Sequence, residues 1–295
     1  MNSIADLVDK VRSGVIHIEY SADNDVRLAS GTGFMCRNLL VTNNHVYQAQ
    51  GNPRVTLAWQ PNSDASSRQE ISMSYEEFKN YFQSGSPEND ADFAILNIPQ
   101  LNEKALYQFD VASRACCRIG DEIALLGFPF EQRHLACHMG RISSLYKRNG
   151  VEVIQLDASV NPSNSGGPLI EPVEGRVIGI VTRKATGLTR AFDELETILT
   201  QNVSRISALI APEAREPRVS GISLGNAVLD SQKQLLRLAQ EIRRSANVGI
   251  GYAFAIDHLL MDLPESQDDD DGGRELSTVP KFLTISNHKG PWQGP

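Results

Sequence analysis

Residues 157–169 read Asp-Ala-Ser-Val-Asn-Pro-Ser-Asn-Ser-Gly-Gly-Pro-Leu, and they say more about architecture and chemistry than any other part of the chain. Within them, Ser165 stands directly before Gly166 and Gly167. A serine hydroxyl is a good nucleophile only beside a base that takes its proton and beside N–H groups that stabilise an oxyanion. A tight glycine turn exposes the serine hydroxyl and the backbone N–H groups, although Asn-Ser-Gly-Gly alone is also typical of an ordinary turn.

Two upstream segments supply the partners that such a serine needs. His45 ends the segment Val-Thr-Asn-Asn-His, just after an apolar strand, and Asp92 begins the segment Asp-Phe-Ala-Ile-Leu. The order His45, Asp92, Ser165 is that of a chymotrypsin-type catalytic triad. It predicts Ser165 as the nucleophile, His45 as the base and Asp92 as the residue that orients the base. Asp90 is a rival for the third position, but the apolar run begins directly after Asp92.

Short apolar runs bounded by Gly, Pro, Asn and Asp extend along most of the chain, which favours a β-sandwich or a pair of barrels. Arg37-Asn38 is the expected turn of a hairpin between the second and third runs. The runs are Val15–Tyr20, Ser30–Cys36, Leu39–Thr42, Val55–Trp59, Phe93–Ile98, Glu122–Gly127, Gly140–Ser144, Val151–Leu156, Pro168–Ile170, Arg176–Thr182 and Gly249–Ile256.

Together these motifs resemble the trypsin-like serine peptidases, and most closely their HtrA-type branch. The matching segments are 31–34, 42–46, 92–96, 154–158, 161–169, 179–182 and 249–256. The resemblance implies a mainly β fold of two six-stranded antiparallel barrels, with the triad in the cleft between them. It implies that no cofactor and no metal is required. We expect no PDZ domain, because only about 35 residues follow the last matching segment, too few for a domain that folds unaided.

The resemblance also implies an oxyanion hole made by the backbone N–H groups of Ser163 and Ser165. The family usually has glycine where this chain has Ser163, and a residue with a Cβ adopts positive φ at a cost of roughly 1–2 kcal/mol. Two states therefore stay open: a hole that forms only with substrate or an activator, and a hole already present at rest.

The pocket that selects the substrate side chain is predicted from the same resemblance. Its base is expected at Ser159 and Val160, neither of which is acidic, so a small or medium apolar substrate residue is favoured over Arg or Lys. The other expected pocket residues are Val181, Thr182, Tyr252 and Ala253.

The chain divides into a predicted protease domain at 1–262 and an acidic, flexible tail at 263–295. A helical insertion at about 187–247 interrupts the domain, where the family has a short loop. Its apolar residues fall on two helical stripes separated by Pro212 and Pro217, and insertions of this length are usually functional. We expect it to gate the pocket or to receive a regulatory protein partner at 190–246, unless it is a packed decoration.

Composition excludes several classes of protein. A net charge of −8 does not favour nucleic-acid binding, and no apolar run reaches the roughly 18 residues that span a bilayer. The N-terminus does not read as a secretory signal, so a cytoplasmic protein is expected. The four cysteines form no C-x-x-C pair, which disfavours zinc and favours buried, reduced thiols.

The sequence thus predicts a serine endopeptidase that acts on protein or peptide substrates. Two alternatives stay open: a catalytically silent pseudo-protease that binds through the same cleft, and a structural adaptor that assembles through the helical insertion. A role in a stress or defence response is a further expectation, which rests on association alone.

Overall fold

The computed structural model describes residues 3–22, 26–48, 51, 53–64, 67–184, 189–210, 218–219, 222–245 and 249–264. The strands are β1 Val15–Ser21, β2 Arg27–Cys36, β3 Leu39–Thr42, β4 Arg54–Trp59, β5 Gln69–Ser74, β6 Phe82–Ser86, β7 Phe93–Leu96, β8 Glu122–Gly127, β9 Ala136–Arg148, β10 Val151–Asp157, β11 Pro168–Ile170, β12 Val177–Lys184, β13 Arg218–Val219, β14 Ile222–Ser223 and β15 Ile250–Ala255. The α-helices are α1 Ile4–Val11, α2 Asn44–Tyr47, α3 Tyr75–Asn80, α4 Pro99–Asn102, α5 Thr189–Leu209 and α6 Leu224–Ser245. From residue 265 onward, the predicted tail lies outside the described residues.

The C-terminal half of the described chain forms a closed barrel of six strands, in the order β10-β15-β12-β11-β8-β9. Its interior is filled by apolar side chains such as those of Leu125, Ile154 and Val181, which are fully buried. This barrel confirms one of the two six-stranded barrels that the sequence predicts.

The N-terminal half forms a seven-stranded sheet in the order β5-β4-β1-β2-β3-β7-β6. Within the described residues, the edge strands β5 and β6 do not pair with each other, so a second closed six-stranded barrel is not confirmed. The sequence did not predict these two strands, because most of their side chains face solvent and they contain no apolar run.

The hairpin of β2 and β3 has the predicted turn. Arg37 and Asn38 adopt φ values of 51° and 60°, the left-handed pair that a two-residue hairpin turn requires. The turn sets the register in which Phe34 pairs with Val41. Since β3 leads directly into α2, this register also fixes where His45 lies.

Side chains from both halves of the domain share one apolar core. Phe34 packs edge-to-face on Phe109, with ring centroids 5.8 Å apart. The same cluster contains Leu126 and Ile180 from the barrel, all buried from solvent. Burial of this kind stabilises by roughly 25 cal/mol per Å² of apolar surface, so the two halves are held together mainly by this shared core.

The helical insertion contains the two predicted helices, α5 and α6, although the proline-containing connection at 211–217 lies outside the described residues. Leu199 packs against Ala239, while Asn202 lies 3.4 Å from Gln232 in a side-chain hydrogen bond. Later positions of α5 therefore meet earlier positions of α6, which makes the pair antiparallel. Neither helix is long and apolar enough to cross a membrane, and the same holds for every other helix that the structure describes.

All four cysteines carry free thiols, but the expectation that they are buried is wrong for most of them. Cys36 is buried, and burial raises the pKa of its thiol to about 11. Cys116 lies in a surface turn and Cys137 on an outward-facing position of β9, so both are exposed. Cys117 is half-buried.

A buried histidine, His17, lies on β1. The His17 ring is fully buried and stacks on Phe128 with centroids 4.5 Å apart. Burial lowers its pKa to about 2, and the nearby charges of Arg68, Arg27 and Arg133 act in the same direction. His17 is therefore neutral in the folded protein at all ordinary pH values.

We predict that this histidine makes the free energy of unfolding fall below about pH 6.5, because the unfolded chain then binds a proton that native His17 does not. Its contribution is complete above that pH and is lost by up to ~1.4 kcal/mol per pH unit as the pH falls. The variant His17→Phe keeps a stacked ring without the imidazole. Between pH 6.5 and 4.5 it should lose roughly 2–3 kcal/mol less stability than the wild type in urea unfolding. Equal losses in the two proteins would contradict the prediction.

Candidate active site

His45 and Asp92 form a close pair at the junction of the two halves. The His45 ring nitrogen Nδ1 lies 2.8 Å from Asp92 Oδ2. The backbone N–H of His45 donates to the other carboxylate oxygen, Oδ1, at 3.1 Å. Because the carboxylate holds both the ring and the main chain of the same residue, it fixes the orientation of the imidazole.

Asp92 is fully buried and is held by more than its histidine partner. Its Oδ2 also accepts a hydrogen bond from the Thr182 hydroxyl at 3.0 Å, and its carbonyl accepts one from the Asn43 amide at 2.7 Å. Its φ of 48° is left-handed, a conformation that persists only where surrounding contacts enforce it. The rival residue Asp90 is exposed, and the structure brings Asp92 rather than Asp90 to His45.

Ser165 lies at the same junction, but its hydroxyl donates to the carbonyl of Thr182 at 2.7 Å. Within the described residues, it makes no hydrogen bond to His45. Thr182 therefore contacts both Ser165 and Asp92, through its carbonyl and its hydroxyl respectively. The sequence predicted Thr182 only as a pocket residue, and its place at the end of an apolar run gave no sign of these two contacts.

The loop that carries Ser165 has two unpaired N–H groups. In the described part of the chain, the N–H groups of Ser163 and Ser165 donate to no acceptor, while that of Asn164 between them donates to Asn161 at 3.1 Å. By contrast, each carbonyl from 162 to 165 accepts a hydrogen bond. The donors, in order, are Phe130 N–H (2.9 Å), the Thr32 hydroxyl (2.7 Å), Gly167 N–H (3.0 Å) and Thr32 N–H (2.9 Å).

Ser163 has the backbone conformation that glycine adopts freely. Its φ is 73°, which costs a residue with a Cβ roughly 1–2 kcal/mol. Its side chain is almost completely buried, and its hydroxyl lies 2.8 Å from the hydroxyl of Ser30 on β2. The structure has Ser163 in the left-handed conformation with its N–H unpaired. Whether the hole depends on substrate or an activator stays a prediction.

Gly166 brings this loop against the N-terminal sheet. Its φ is +86°, and a Cβ placed on it would lie 2.0 Å from the Thr32 carbonyl oxygen and 2.3 Å from the Thr42 hydroxyl. No side chain fits in that space. The close approach lets the Thr32 N–H reach the carbonyl of Ser165.

Comparison with known proteins identifies the family of this chain. A family model described as a trypsin-like peptidase domain matches residues 30–180, about half of the chain. Serine protease HTRA1A of Danio rerio is 30% identical over 226 residues, which cover 70% of this chain and 42% of that protein. The chain belongs to the trypsin-like peptidase family.

Other matches point to the HtrA branch of this family. Human serine protease HTRA3 is 31% identical over 219 residues, covering 68% of this chain and 45% of its own length. The chain therefore spans less than half the length of each of these two relatives. The solved HtrA-type protease AlgW with a tripeptide has a TM-score of 0.55 and 20% identity, over 88% of this chain and 62% of that one. That likeness supports the mainly β, chymotrypsin-like fold.

The residues predicted for the substrate pocket of this trypsin-like peptidase fall into different environments. Thr182 and Tyr252 line a cavity of about 340 Å³, whereas Ser159 is exposed. The cavity also has Asp90 and Arg148 in its wall. The other three residues are apolar and lie in the buried core of the closed barrel: Val160, Val181 and Ala253. Their role in substrate selection stays a prediction.

Sequence reasoning missed several residues that hold the active-site loop. They are Ser30, Thr32 and Phe130, which contact the segment Pro162–Ser165 from outside it. The two residues on β2 stand next to the glycines of the Ser-Gly-Thr-Gly motif, which marks a close approach of backbones but not its partner. Among the described residues, no group of three or more His, Cys, Asp or Glu side chains is arranged to hold a metal ion.

We predict that Gly166→Ala disrupts the fold, because the new Cβ would overlap the Thr32 carbonyl. The expected loss is more than about 4 kcal/mol of unfolding free energy, or no soluble protein. The control is Gly120→Ala, since Gly120 also has positive φ (+96°) but has no atom within 4 Å of the place that a Cβ would take. It should lose only roughly 1–2 kcal/mol. Similar stability of the two variants in urea unfolding would refute the steric argument.

Proposed function

We propose that the chain is a serine endopeptidase that cleaves peptide bonds through an acyl-enzyme on Ser165. His45 takes the proton of the attacking hydroxyl and passes it to the leaving amine. Asp92 keeps the proton on Nδ1, so that Nε2 is the base. The N–H groups of Ser163 and Ser165 stabilise the negative oxygen of the tetrahedral intermediate. A water molecule, activated by His45, then releases the acyl group.

The observation that carries this proposal is the pair of unpaired N–H groups beside Ser165. Ser163 is almost completely buried. A buried polar group without a partner costs about 1–3 kcal/mol, so an unpaired donor at this position is unusual. Donors that are kept available beside a nucleophile are what acyl transfer needs. A loop with a purely structural role would gain stability by pairing them.

The hydrogen bond from Ser165 to the Thr182 carbonyl favours a second candidate, the pseudo-protease. The small free energy of this hydrogen bond argues against the pseudo-protease. A hydrogen bond of this kind contributes about 0.5–1.5 kcal/mol, and rotation between staggered side-chain positions is fast. Turning the hydroxyl toward His45 would therefore lower the rate by about tenfold at most, which does not abolish catalysis.

We predict that a fluorophosphonate probe labels the wild-type protein and fails to label Ser165→Ala, because the probe reacts with an activated serine. Asp92→Asn should slow labelling by about three to four orders of magnitude, since the imidazole loses the partner that fixes its tautomer. Ser72→Ala, which removes an exposed hydroxyl on β5, is the matched control and should label normally. Labelling is followed by intact-mass spectrometry. A folded wild type that is never labelled, with or without peptides, would favour the pseudo-protease.

The substrate class follows from the same site. HtrA-type protease AlgW has been solved with a tripeptide and with a decapeptide, and we propose that this chain also binds an extended peptide. Ser159 and Val160 lack acidic groups, which supports a small or medium apolar residue before the cleaved bond. The expected cytoplasmic location and the role in stress or defence stay predictions.

The helical insertion is proposed as the site of a regulatory protein partner. α5 begins five residues after β12, the strand that carries Thr182. A partner that moves α5 would therefore act close to the residue that contacts both Ser165 and Asp92. Part of the apolar surface of the two helices is exposed: Leu195, Ile198, Leu224, Val228, Leu235, Leu238 and Ile242.

We predict that replacing residues 190–246 by a short Gly-Ser linker changes the basal rate of fluorophosphonate labelling at least threefold. The physical reason is that the insertion begins shortly after β12 and ends shortly before β15, so a short linker would hold the ends of these two strands differently. The same linker inserted at Gly120, an exposed turn with open space around it, is the control and should leave the rate unchanged. An unchanged rate in the deletion variant, with the fold intact by circular dichroism, would argue that the insertion packs on the domain without a regulatory role.

A further inference from the structure

We propose that Phe130 is a positioning residue for the oxyanion hole. Its backbone N–H binds the carbonyl of Pro162 and so fixes the direction in which the neighbouring N–H of Ser163 points. This inference rests on the proposed peptidase activity and assigns to it a residue outside the triad and outside the loop that carries Ser165.

The geometry of a single peptide unit gives this contact its effect. The N–H of Phe130 donates to the carbonyl of Pro162 at 2.9 Å. Because the peptide unit between residues 162 and 163 is planar and trans, its C=O and its N–H point in opposite directions. The bond from Phe130 therefore also sets the direction of the Ser163 N–H. If this peptide turned over, the N–H of Ser163 would face that of Phe130, and two donors cannot pair.

The backbone preference of Ser163 favours the turned peptide. Its φ of 73° is left-handed, whereas a residue with a Cβ prefers negative φ. Turning the 162–163 peptide makes this φ negative and leaves the Ser163 side chain and carbonyl almost where they are. The contacts of these two groups with Ser30 and Thr32 therefore do not oppose the turn. Among the hydrogen bonds that the structure describes for this loop, the turn breaks the one from Phe130.

Phe130 has the same kind of backbone strain as its partner. Its φ of 52° and ψ of 33° are left-handed. The peptide before it is held at its other end, since the carbonyl of Pro129 accepts from the N–H of Gln132 at 3.0 Å. That bond directs the Phe130 N–H outward from its own turn. Two peptides thus face each other, each followed by a strained residue, and the hydrogen bond between them stabilises both.

The loop that carries Phe130 is fixed to the N-terminal sheet at both ends. At its start, the N–H of Phe128 donates to the Thr32 hydroxyl at 3.2 Å. At its end, the N–H of Leu135 donates to the side chain of Gln60, also at 3.2 Å. The ring of Phe130 itself is about half exposed, so its removal leaves the buried core intact.

The two orientations of the 162–163 peptide are close in free energy, because left-handed φ costs about as much as one hydrogen bond contributes. Loss of the Phe130 donor should therefore shift the ratio of the two by up to about tenfold. The turned peptide offers no Ser163 N–H to the oxyanion, so the rate of reaction at Ser165 should fall with the population of the held state.

The experiment replaces Phe130 by phenyllactate, which changes the amide to an ester and removes the N–H while keeping the side chain. We expect fluorophosphonate labelling of Ser165 to slow about fivefold. The matched control is phenyllactate at Phe109, which removes an N–H that donates to the Met35 carbonyl at 2.8 Å. It should label within twofold of wild type. Equal slowing by both esters, or by neither, overturns the proposal.

Two substitutions test the left-handed φ at position 130. Both remove the ring, but glycine adopts positive φ freely, whereas a β-branched residue there is a severe outlier. Phe130→Val should therefore label about fivefold more slowly than Phe130→Gly. Equal rates in these two variants would count against the role of Phe130. Unfolding temperatures measured in parallel show whether each variant is folded, and this pair decides the matter if the ester at 130 does not fold.

A readout without turnover separates this inference from the proposed function. The one-bond Cα–Hα coupling of Ser163, measured by NMR, distinguishes positive from negative φ. The ester at Phe130 should move it toward the negative-φ value, and the ester at Phe109 should not. If the wild type is never labelled, the proposed peptidase activity fails, and this coupling alone decides the role of Phe130. An unchanged coupling in the Phe130 ester overturns it.

Discussion

The buried carboxylate of Asp92 is the interaction on which the arrangement of the site depends. A charged group without solvent must be satisfied by the protein, and here the contacts come from two different elements. His45 supplies two hydrogen bonds from α2, and Thr182 supplies one from the end of β12 in the closed barrel. The N-terminal sheet and the barrel therefore meet at one ion, in addition to sharing an apolar core. A shift between the two halves would leave that charge without a partner.

Backbone strain is found at Asp92 and at two residues in or against the loop before Ser165. Asp92, Phe130 and Ser163 all have left-handed φ without being glycine. Such conformations persist when neighbouring contacts enforce them, and they cluster where a protein holds groups ready for a ligand. The hydrogen bonds of Phe130 and Ser163 show how the enforcement works, since each ties the loop before Ser165 to a different part of the domain. The hydrogen bonds of this loop thus maintain its strained backbone conformations.

The sequence predicted the elements whose signal is local. The Arg37-Asn38 turn, the short apolar strands of the barrel and the two long helices all have patterns that can be recognised within about ten to twenty residues. The pairing of His45 with Asp92 rather than Asp90 was predicted from the apolar run that follows Asp92, and the two side chains are in contact.

What the sequence did not predict depends on contacts between distant segments. Ser30 and Ser163 are 133 positions apart, and nothing in either neighbourhood indicates that their hydroxyls meet. Thr182 faces Asp92 across 90 positions for the same reason. The edge strands β5 and β6 were missed because exposed strands need no apolar run, and their lack of mutual pairing could not be foreseen from composition.

In the loop at residues 162–165, all carbonyls accept hydrogen bonds, whereas the N–H groups of Ser163 and Ser165 are unpaired among the described residues. This excess of donors has a consequence beyond the catalytic step. Main-chain N–H groups that lie close together in one loop and have no partner can bind anions, whatever molecule the anion belongs to. For an enzyme of the proposed kind, cleavage creates a new carboxylate on the acyl product at that place. The same donors that stabilise a transient oxyanion would then attract a permanent one. Retention of the acyl product thus follows from the polarity of this loop, and fast turnover requires that this product, which leaves after the amine, dissociate against that attraction.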